Sequence, residues 1–448
     1  VSFLLLGPTE AALPPAPGPA RRAGLVRLDG KKFVDAGGAW NPRGISFFTW
    51  PWGLKHEEAR YRDNMAWVAG HGFDAARVWG KVGGTSWEDR EYSVETDPDA
   101  LARALDVAWG EYGVRLDIAL IADNFDLRDP ASAARALREV IRPRQESVLC
   151  SECANEDNMP NEAENLRRVF EILRGAFPDM PIAARSAPGV EGEDRSDLDA
   201  FPYANVMSAH TDRQPPPERQ IRAHWGAEGH HRAMGSFEPP GPWSSGATMD
   251  DPIHLALTST MAGIAGMGYY VFHAGAGIRT GGQHDRQRGL PENFFDQQNG
   301  DEQARGVIAG GHVLPPDCVD WRKINGHWRD HPMPARWVWS DGWTHGQGIS
   351  RGYAIERGDQ FLNIVLAVRG LSEHPILRDC AIEVLHPVTG ELLDTQVLRG
   401  GAVHHALVPH PDNPEHLMRE ITGDGETYTL RGPDAGGLWG YVIRGRYR

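Results

Sequence analysis

Residues 99–153 read DALARALDVAWGEYGVRLDIALIADNFDLRDPASAARALREVIRPRQESVLCSEC, and the division of this stretch decides the fold. Two apolar runs, RLDIALIA (115–122) and SVLCSEC (147–153), have the length of strands. Beside them, DALARALDVAWGEYG (99–113) and ASAARALREVIR (131–142) are longer and repeat apolar residues at helical spacing. The stretch therefore reads helix, strand, helix, strand. A helix between two strands is the crossover that parallel pairing needs, so the sheet it belongs to is parallel and covered by helices.

The same alternation extends in both directions. Further apolar runs are GISFF (44–48), FDAARVW (73–79), MPIAAR (180–185), NVMSAH (205–210), RAMGSF (232–237) and YYVFHA (269–274). Helical segments between them include HEEARYRDNMAWVAGHG (56–72), NEAENLRRVFEILRGAF (161–177), PPERQIRAHWGAE (216–228) and DPIHLALTSTMAGIAG (251–266). The last has Asp251-Pro252 at its start and glycine at its stop, as helix ends prefer. The connection after Ala187 is irregular. Eight strands in this alternation predict a closed (β/α)8 TIM barrel. An open doubly wound sheet would favour a glycine-rich phosphate loop after its first strand, and GISFFTWPWG (44–53) is not one.

Flanking segments complete the organisation. Residues 1–24 are Pro/Ala-rich and expected to be irregular, and LVRLDGKKFVDA (25–36) reads as a hairpin turning at Asp29-Gly30. From about Ala335, short alternating runs such as QFLNIVLAVRG (360–370), CAIEVLHPVTG (380–390) and LWGYVIRG (438–445) are separated by Gly, Asp and Pro turns. They predict a C-terminal all-β sandwich packed on the barrel, with Trp337, Trp339 and Trp343 buried between the two. The expected division is an irregular segment 1–24, a catalytic barrel 25–330 and a β-sandwich 331–448.

The 448 residues are 40% hydrophobic and 24% charged, ordinary values for a globular chain. A formal net charge of −15 argues against nucleic acid and anionic membrane as partners, and leaves neutral ligands unpenalised. Fifteen tryptophans provide flat apolar faces of the kind that stack on sugar rings, although most are expected in the core. The four cysteines are too few for a disulfide scaffold. Cys150 and Cys153 lie three apart on one strand and point to opposite faces, so they neither bond nor share a metal. VSFLLLG at the start has no basic segment before it and is not a complete signal peptide; secretion remains compatible with it. The apolar stretch 255–272 is interrupted by Thr258, Ser259, Thr260 and glycines, and reads as a buried helix running into a strand.

Barrel enzymes carry their chemistry at the C-terminal ends of the strands. Those ends supply Trp50 and Trp52 after strand 1, Arg77 and Trp79 at strand 2, and Asp123-Asn124 after strand 3. Strand 4 ends in Asn155-Glu156. His210 and Asp212 follow strand 6, Glu238 follows strand 7, and His273 stands at strand 8. Cleavage of a glycosidic bond needs one acid to protonate the leaving oxygen and a second carboxylate at the anomeric carbon. Glu156 and Glu238 are suited to those roles, with Arg77, Asn155, His210, His273, Trp50 and Trp79 as substrate-binding candidates. Glu152, inside strand 4, is expected to orient a neighbour. Glu228 reads as a helix end, and His230-His231 and His404-His405 as surface or packing residues. No metal and no cofactor is expected.

Glu152-Cys153-Ala154-Asn155-Glu156 resembles the E-x-x-N-E stretch on the fourth strand of clan A glycoside hydrolases. Phe237-Glu238 is similar to that clan's nucleophile position, and Arg77 in ARVW resembles its second-strand arginine. His210 resembles the sixth-strand histidine of the cellulase-like family 5, and LDGKKFVDAGGAWNPRGIS (28–46) is similar to the lead-in of family 5 barrels. The resemblance covers residues 25–310. It implies a retaining hydrolase of a β-linked oligo- or polysaccharide, with Asn155 on the substrate, Glu156 as acid/base, Glu238 as nucleophile and Arg77 supporting Glu238. The sequence departs from the clan pattern at Asp157, where proline is usual, at Asp212, where tyrosine is frequent, and at FHAG (272–275), where the eighth strand commonly offers tryptophan. The departures at Asp157 and Asp212 keep open a barrel that binds glycan or serves a structural role without turnover; a different barrel enzyme, such as a metal-assisted hydrolase, is the second alternative.

Overall fold

In the computed structural model the described residues are 22–82, 91–121, 129–155, 162–186, 204–210, 232–238, 252–272, 300–323, 351–366, 371–375, 378–401, 403–410, 413–423, 426–431 and 440–448. Eight parallel strands close into a barrel. They are β1 (Arg43–Ser46), β2 (Ala75–Trp79), β3 (Arg115–Ile121), β4 (Val148–Asn155), β5 (Ile182–Ser186), β6 (Val206–His210), β7 (Ala233–Glu238) and β8 (Met267–Phe272). Each pairs with its sequence neighbours, and β8 closes on β1 through Val271 opposite Gly44. Every barrel strand expected from the sequence is present.

The helices are α1 (Trp50–His56), α2 (Glu58–Gly70), α3 (Pro98–Tyr112), α4 (Pro130–Ile141), α5 (Glu162–Ala176), α6 (Pro252–Ile264) and α7 (Gly300–His312). Helix α3 shows why these segments are helical. Pro98 occupies its first turn, where a missing N–H costs nothing, and Ala100, Leu101, Ala104, Leu105 and Ala108 form one buried stripe. Gly113 ends it in the left-handed conformation (φ 72°), which reverses the chain into β3. Asp129 caps α4 by accepting from the backbone N–H of Ser132 at 3.0 Å.

Helices α6 and α7 explain the hydroxyls that interrupt the apolar stretch 255–272. Ser259 Oγ donates to the Val307 carbonyl (2.8 Å) and accepts from Arg43 Nε (2.9 Å), while Thr260 Oγ1 reaches the carbonyls of Ala256 and Gly310. The helices approach so closely that a Cβ at Gly310 would stand 2.2 Å from the Ala256 carbonyl oxygen. Backbone cannot yield as a flexible side chain does. Gly310→Ala is accordingly expected to lower stability by about 2–3 kcal/mol, measured by urea unfolding.

A three-stranded antiparallel sheet (Arg27–Asp29, Lys32–Asp35, Gly38–Trp40) plugs the N-terminal end of the barrel. Its Phe33 and Trp40, with Val26 just before it, share a buried cluster with Ala75, Leu149, Ala183, Val206 and Ala233, which lie near the starts of five barrel strands. That leaves the opposite, C-terminal end for chemistry, where barrel enzymes carry it.

The C-terminal part is antiparallel β-structure, as the alternating pattern predicts. Its six-stranded sheet runs in the order Arg322–Lys323, Arg351–Arg357, Gln360–Leu366, Gly440–Tyr447, Cys380–Leu385 and Leu392–Leu398. Two further ladders pair Leu371–Pro375 with Thr427–Arg431, and Val403–His410 with Asn413–Gly423. The sheet's first strand precedes the division expected at 330/331. Leu257, Met261 and Ile264 of α6 bury against Ile355, Leu362, Ile364, Leu385 and Val442 of the sheet, so an apolar interface joins sheet and barrel. Trp337, Trp339 and Trp343 lie outside the described residues. Among the described residues no helix is long and apolar enough to cross a membrane.

Candidate active site

Of the sequence-predicted residues, Asn155, His210 and Glu238 end β4, β6 and β7 at the C-terminal rim of the barrel. Strand β4 ends at Asn155, which is in register with Ser186 at the end of β5. Strand β7 ends at Glu238, and a bulge between Ala209 and His210 sets His210 opposite it. Such bulges often re-aim the chain beside active sites. Asn155 and Glu238 therefore end strands at the same rim of the barrel, with β5 and β6 between them. Glu156, the residue after β4, lies outside the described residues, as do His273, Asp123-Asn124, Asp157, Asp212, Glu228 and His230-His231.

Two tryptophan expectations are corrected. Trp50 is not a groove wall: it opens α1, is fully buried, and donates its indole N–H to the Ala104 carbonyl of α3 at 3.1 Å. Trp79 is at the end of β2 as expected, but only 3% exposed, with its ring stacked on Phe48 at 4.3 Å between centroids. Trp52 is partly exposed and stacks on the His56 ring. Aromatic type alone does not tell packing from binding, and α1 turns Trp50 inward against α3.

Arg77 is also corrected, from a substrate contact to an interior group. Its side chain has no exposure, and its guanidinium grips Glu152 in a two-pronged pair, Nε–Oε1 2.5 Å and Nη2–Oε2 2.9 Å. The Phe48 and Phe237 rings lie 5.5 and 5.9 Å from its guanidinium carbon. Fork-to-fork pairing fixes the guanidinium plane as well as its position. Glu152 thus orients a neighbour, as its place within the strand suggested.

Two residues of this interior cluster escape a sequence reading. Asp117 of β3 is completely buried, in register with Arg77 on one side and Cys150 on the other. Tyr269 of β8 crosses the barrel and donates its hydroxyl to Asp117 Oδ2 at 3.1 Å. Gly44 makes room for it, since a Cβ there would stand 2.6 Å from the Tyr269 hydroxyl. Burial, and then the charge of Glu152, push the Asp117 carboxyl well above its usual range. Burial followed by Asp117 does the same to Tyr269, and burial holds the Cys150 thiol protonated. The one available signal was an aspartate amid the apolar run RLDIALIA.

All four cysteines are free and buried, Cys150 and Cys153 included. Among the described residues no cluster of His, Cys, Asp or Glu could hold a metal ion.

No family model matches the sequence, and no curated protein matches it. Solved structures do match in fold. A structure named as a glycoside hydrolase superposes with a TM-score of 0.60 at 10% identity, covering 94% of this chain and 97% of its own. A family 5 glycoside hydrolase from Bacteroides vulgatus superposes with a TM-score of 0.61 at 12% identity, covering 94% and 93%. The likeness thus spans both the barrel and the β domain, and at these identities it is a likeness of fold.

Proposed function

We propose that this protein is a retaining glycoside hydrolase acting on a β-linked glycan, with Glu238 as nucleophile and Glu156 as acid/base. The observation that carries the reading is the placement of the fourth- and seventh-strand ends. Asn155 closes β4 immediately before Glu156, Glu238 closes β7 at the same rim, and the opposite end of the barrel is plugged. A fold shared over nearly the full chain with glycoside hydrolases supports the same reading.

In the first step Glu238 attacks the anomeric carbon while Glu156 gives its proton to the departing oxygen, leaving a glycosyl-enzyme ester. In the second, Glu156, now ionised, takes a proton from water, and the water oxygen displaces Glu238 from the sugar. Two inversions retain the configuration. Asn155 holds the 2-hydroxyl of the sugar, a contact that strengthens as charge develops on the ring. Arg77 is held by Glu152 inside the barrel, and the positive end of this balanced pair favours the ionised form of Glu238.

The test is a panel of β-linked polysaccharides and aryl β-glycosides, with the anomer of the first-formed product followed by proton NMR. Release of the β-anomer supports the reading. Release of the α-anomer would replace retention by inversion, and no release from any member would favour a non-catalytic glycan-binding barrel. With a cleaved substrate in hand, Asn155→Ala is expected to lower kcat roughly 10²-fold with a smaller change in KM, because the lost contact is made mainly in the transition state.

A further inference from the structure

Among the described residues, the barrel interior holds two carboxylates and one arginine out of reach of bulk solvent. Asp117, Glu152 and Arg77 are each 0% exposed. Glu152 commits both oxygens to the Arg77 fork, so its charge is matched. Asp117 receives only the Tyr269 hydroxyl, on Oδ2, and Oδ1 has no donor among the described residues. The groups facing it are Arg77 from β2, Cys150 and Glu152 from β4, and Tyr269 from β8. In the β3–β4 ladder Asp117 stands opposite Cys150, and Glu152 lies two residues further along the same face, so the two carboxylates are neighbours in the interior and the negative charge of Glu152 raises the Asp117 carboxyl. Two ionised carboxylates there would leave an unmatched negative charge in a dry interior, and a bare acceptor beside another acceptor.

One proton resolves both faults. We propose that Asp117 is a neutral carboxylic acid which donates its proton to Glu152, and that it serves as a positioning residue by holding Glu152, which holds Arg77. Its two oxygens then have different duties: Oδ1–H donates to the Glu152 carboxylate, and Oδ2 accepts from Tyr269. The cluster carries no net charge, so it adds no negative potential beneath the strand ends where Glu238 stands. The catalytic meaning of this arrangement rests on the function proposed above; the protonation of Asp117 does not.

Asp117→Asn is the informative variant, because its amide is always neutral, donates to Glu152 and accepts from Tyr269. A buried acid that stays neutral has a folded pKa above its unfolded value near 4. Its contribution to stability is present below that value and is lost as pH rises toward the folded pKa. Urea unfolding of the two proteins should therefore show the wild-type folding constant, relative to that of Asp117→Asn, falling about tenfold per pH unit from about pH 4 to 7. A ratio that is flat or rises across this window overturns the proposal. Infrared difference spectra between the two proteins at neutral pH should show the carbonyl stretch of a protonated carboxyl in the wild type alone, and its absence overturns the proposal equally.

The positioning role is read with a cleaved substrate. Asp117→Ala should lower kcat about tenfold or more with little change in KM, and Asn at the same position should restore it together with the wild-type pH profile. Equal impairment of the two variants would overturn the role. If Asp117→Ala does not fold, the Asn variant alone decides, since impairment of kcat in a stable Asp117→Asn counts against the role. Failure of the wild type to cleave any glycan would sink the proposed function and leave the linkage and infrared results to decide the protonation.

Discussion

Glu238→Gln is expected to reduce turnover of every substrate by roughly 10⁴-fold or more, because Glu238 is the group proposed to form the glycosyl-enzyme bond. The amide is isosteric, so circular dichroism and thermal unfolding should match the wild type. Glu156→Ala should behave differently. It cripples natural substrates, whose leaving groups need a proton, and spares formation of the glycosyl-enzyme from aryl glycosides with acidic leaving groups. The ester then accumulates, is visible by intact-protein mass spectrometry, and is released by azide as a β-glycosyl azide. Retention of wild-type rates in Glu238→Gln would remove Glu238 as nucleophile. An α-glycosyl azide would mean that the azide had met no covalent intermediate.

The parts of this molecule legible in the sequence are those with a dense physical signal. Strands β1 to β8 are enclosed by helices and plug, so they read as apolar runs whatever their side-chain direction. The stretch 255–272 was legible as helix then strand because hydroxyls interrupt it, and Ser259 and Thr260 bond to backbone of α7 and of their own helix, a pattern foreign to a membrane span. Glu238 and Asn155 were legible because strand ends can be located to within a residue or two.

What escaped the sequence depends on direction and distance instead. Helix α1 has only seven residues, too few for a periodic stripe, so Trp50 read as part of a loop wall when it is a core residue. The strand Arg322–Lys323 is too short to alternate at all. Asp117 was hidden for the opposite reason: it sits in a clear strand, and only closure of the barrel brings Tyr269, Arg77 and Glu152 around it. A barrel interior is assembled from alternate strands, so partners that meet there are far apart in sequence.

The Arg77–Glu152 pair gives the second large effect, one that separates holding the fold from serving the reaction. Arg77→Ala would leave the Glu152 carboxylate in the dry interior, a loss of about 3–5 kcal/mol in urea unfolding. Arg77→Lys should be nearly as damaging, since a point-like ammonium cannot match both oxygens. Glu152→Gln leaves Arg77 charged and poorly paired, and should cost about as much. The double variant Arg77→Met/Glu152→Leu removes both charges and fills most of the same space, so a large part of the stability should return. It leaves the Asp117 hydroxyl without its acceptor, which limits how complete that return can be. Activity should not return with it. If the positive end of the pair favours the ionised form of Glu238, the acidic limb of the kcat/KM profile moves to higher pH once the pair is gone. A double variant that recovered stability together with wild-type kcat/KM and an unmoved acidic limb would show that the pair holds the barrel and nothing more. Recovery of stability alone, with the limb displaced, would tie the interior pair to the ionisation of Glu238 at the rim above it.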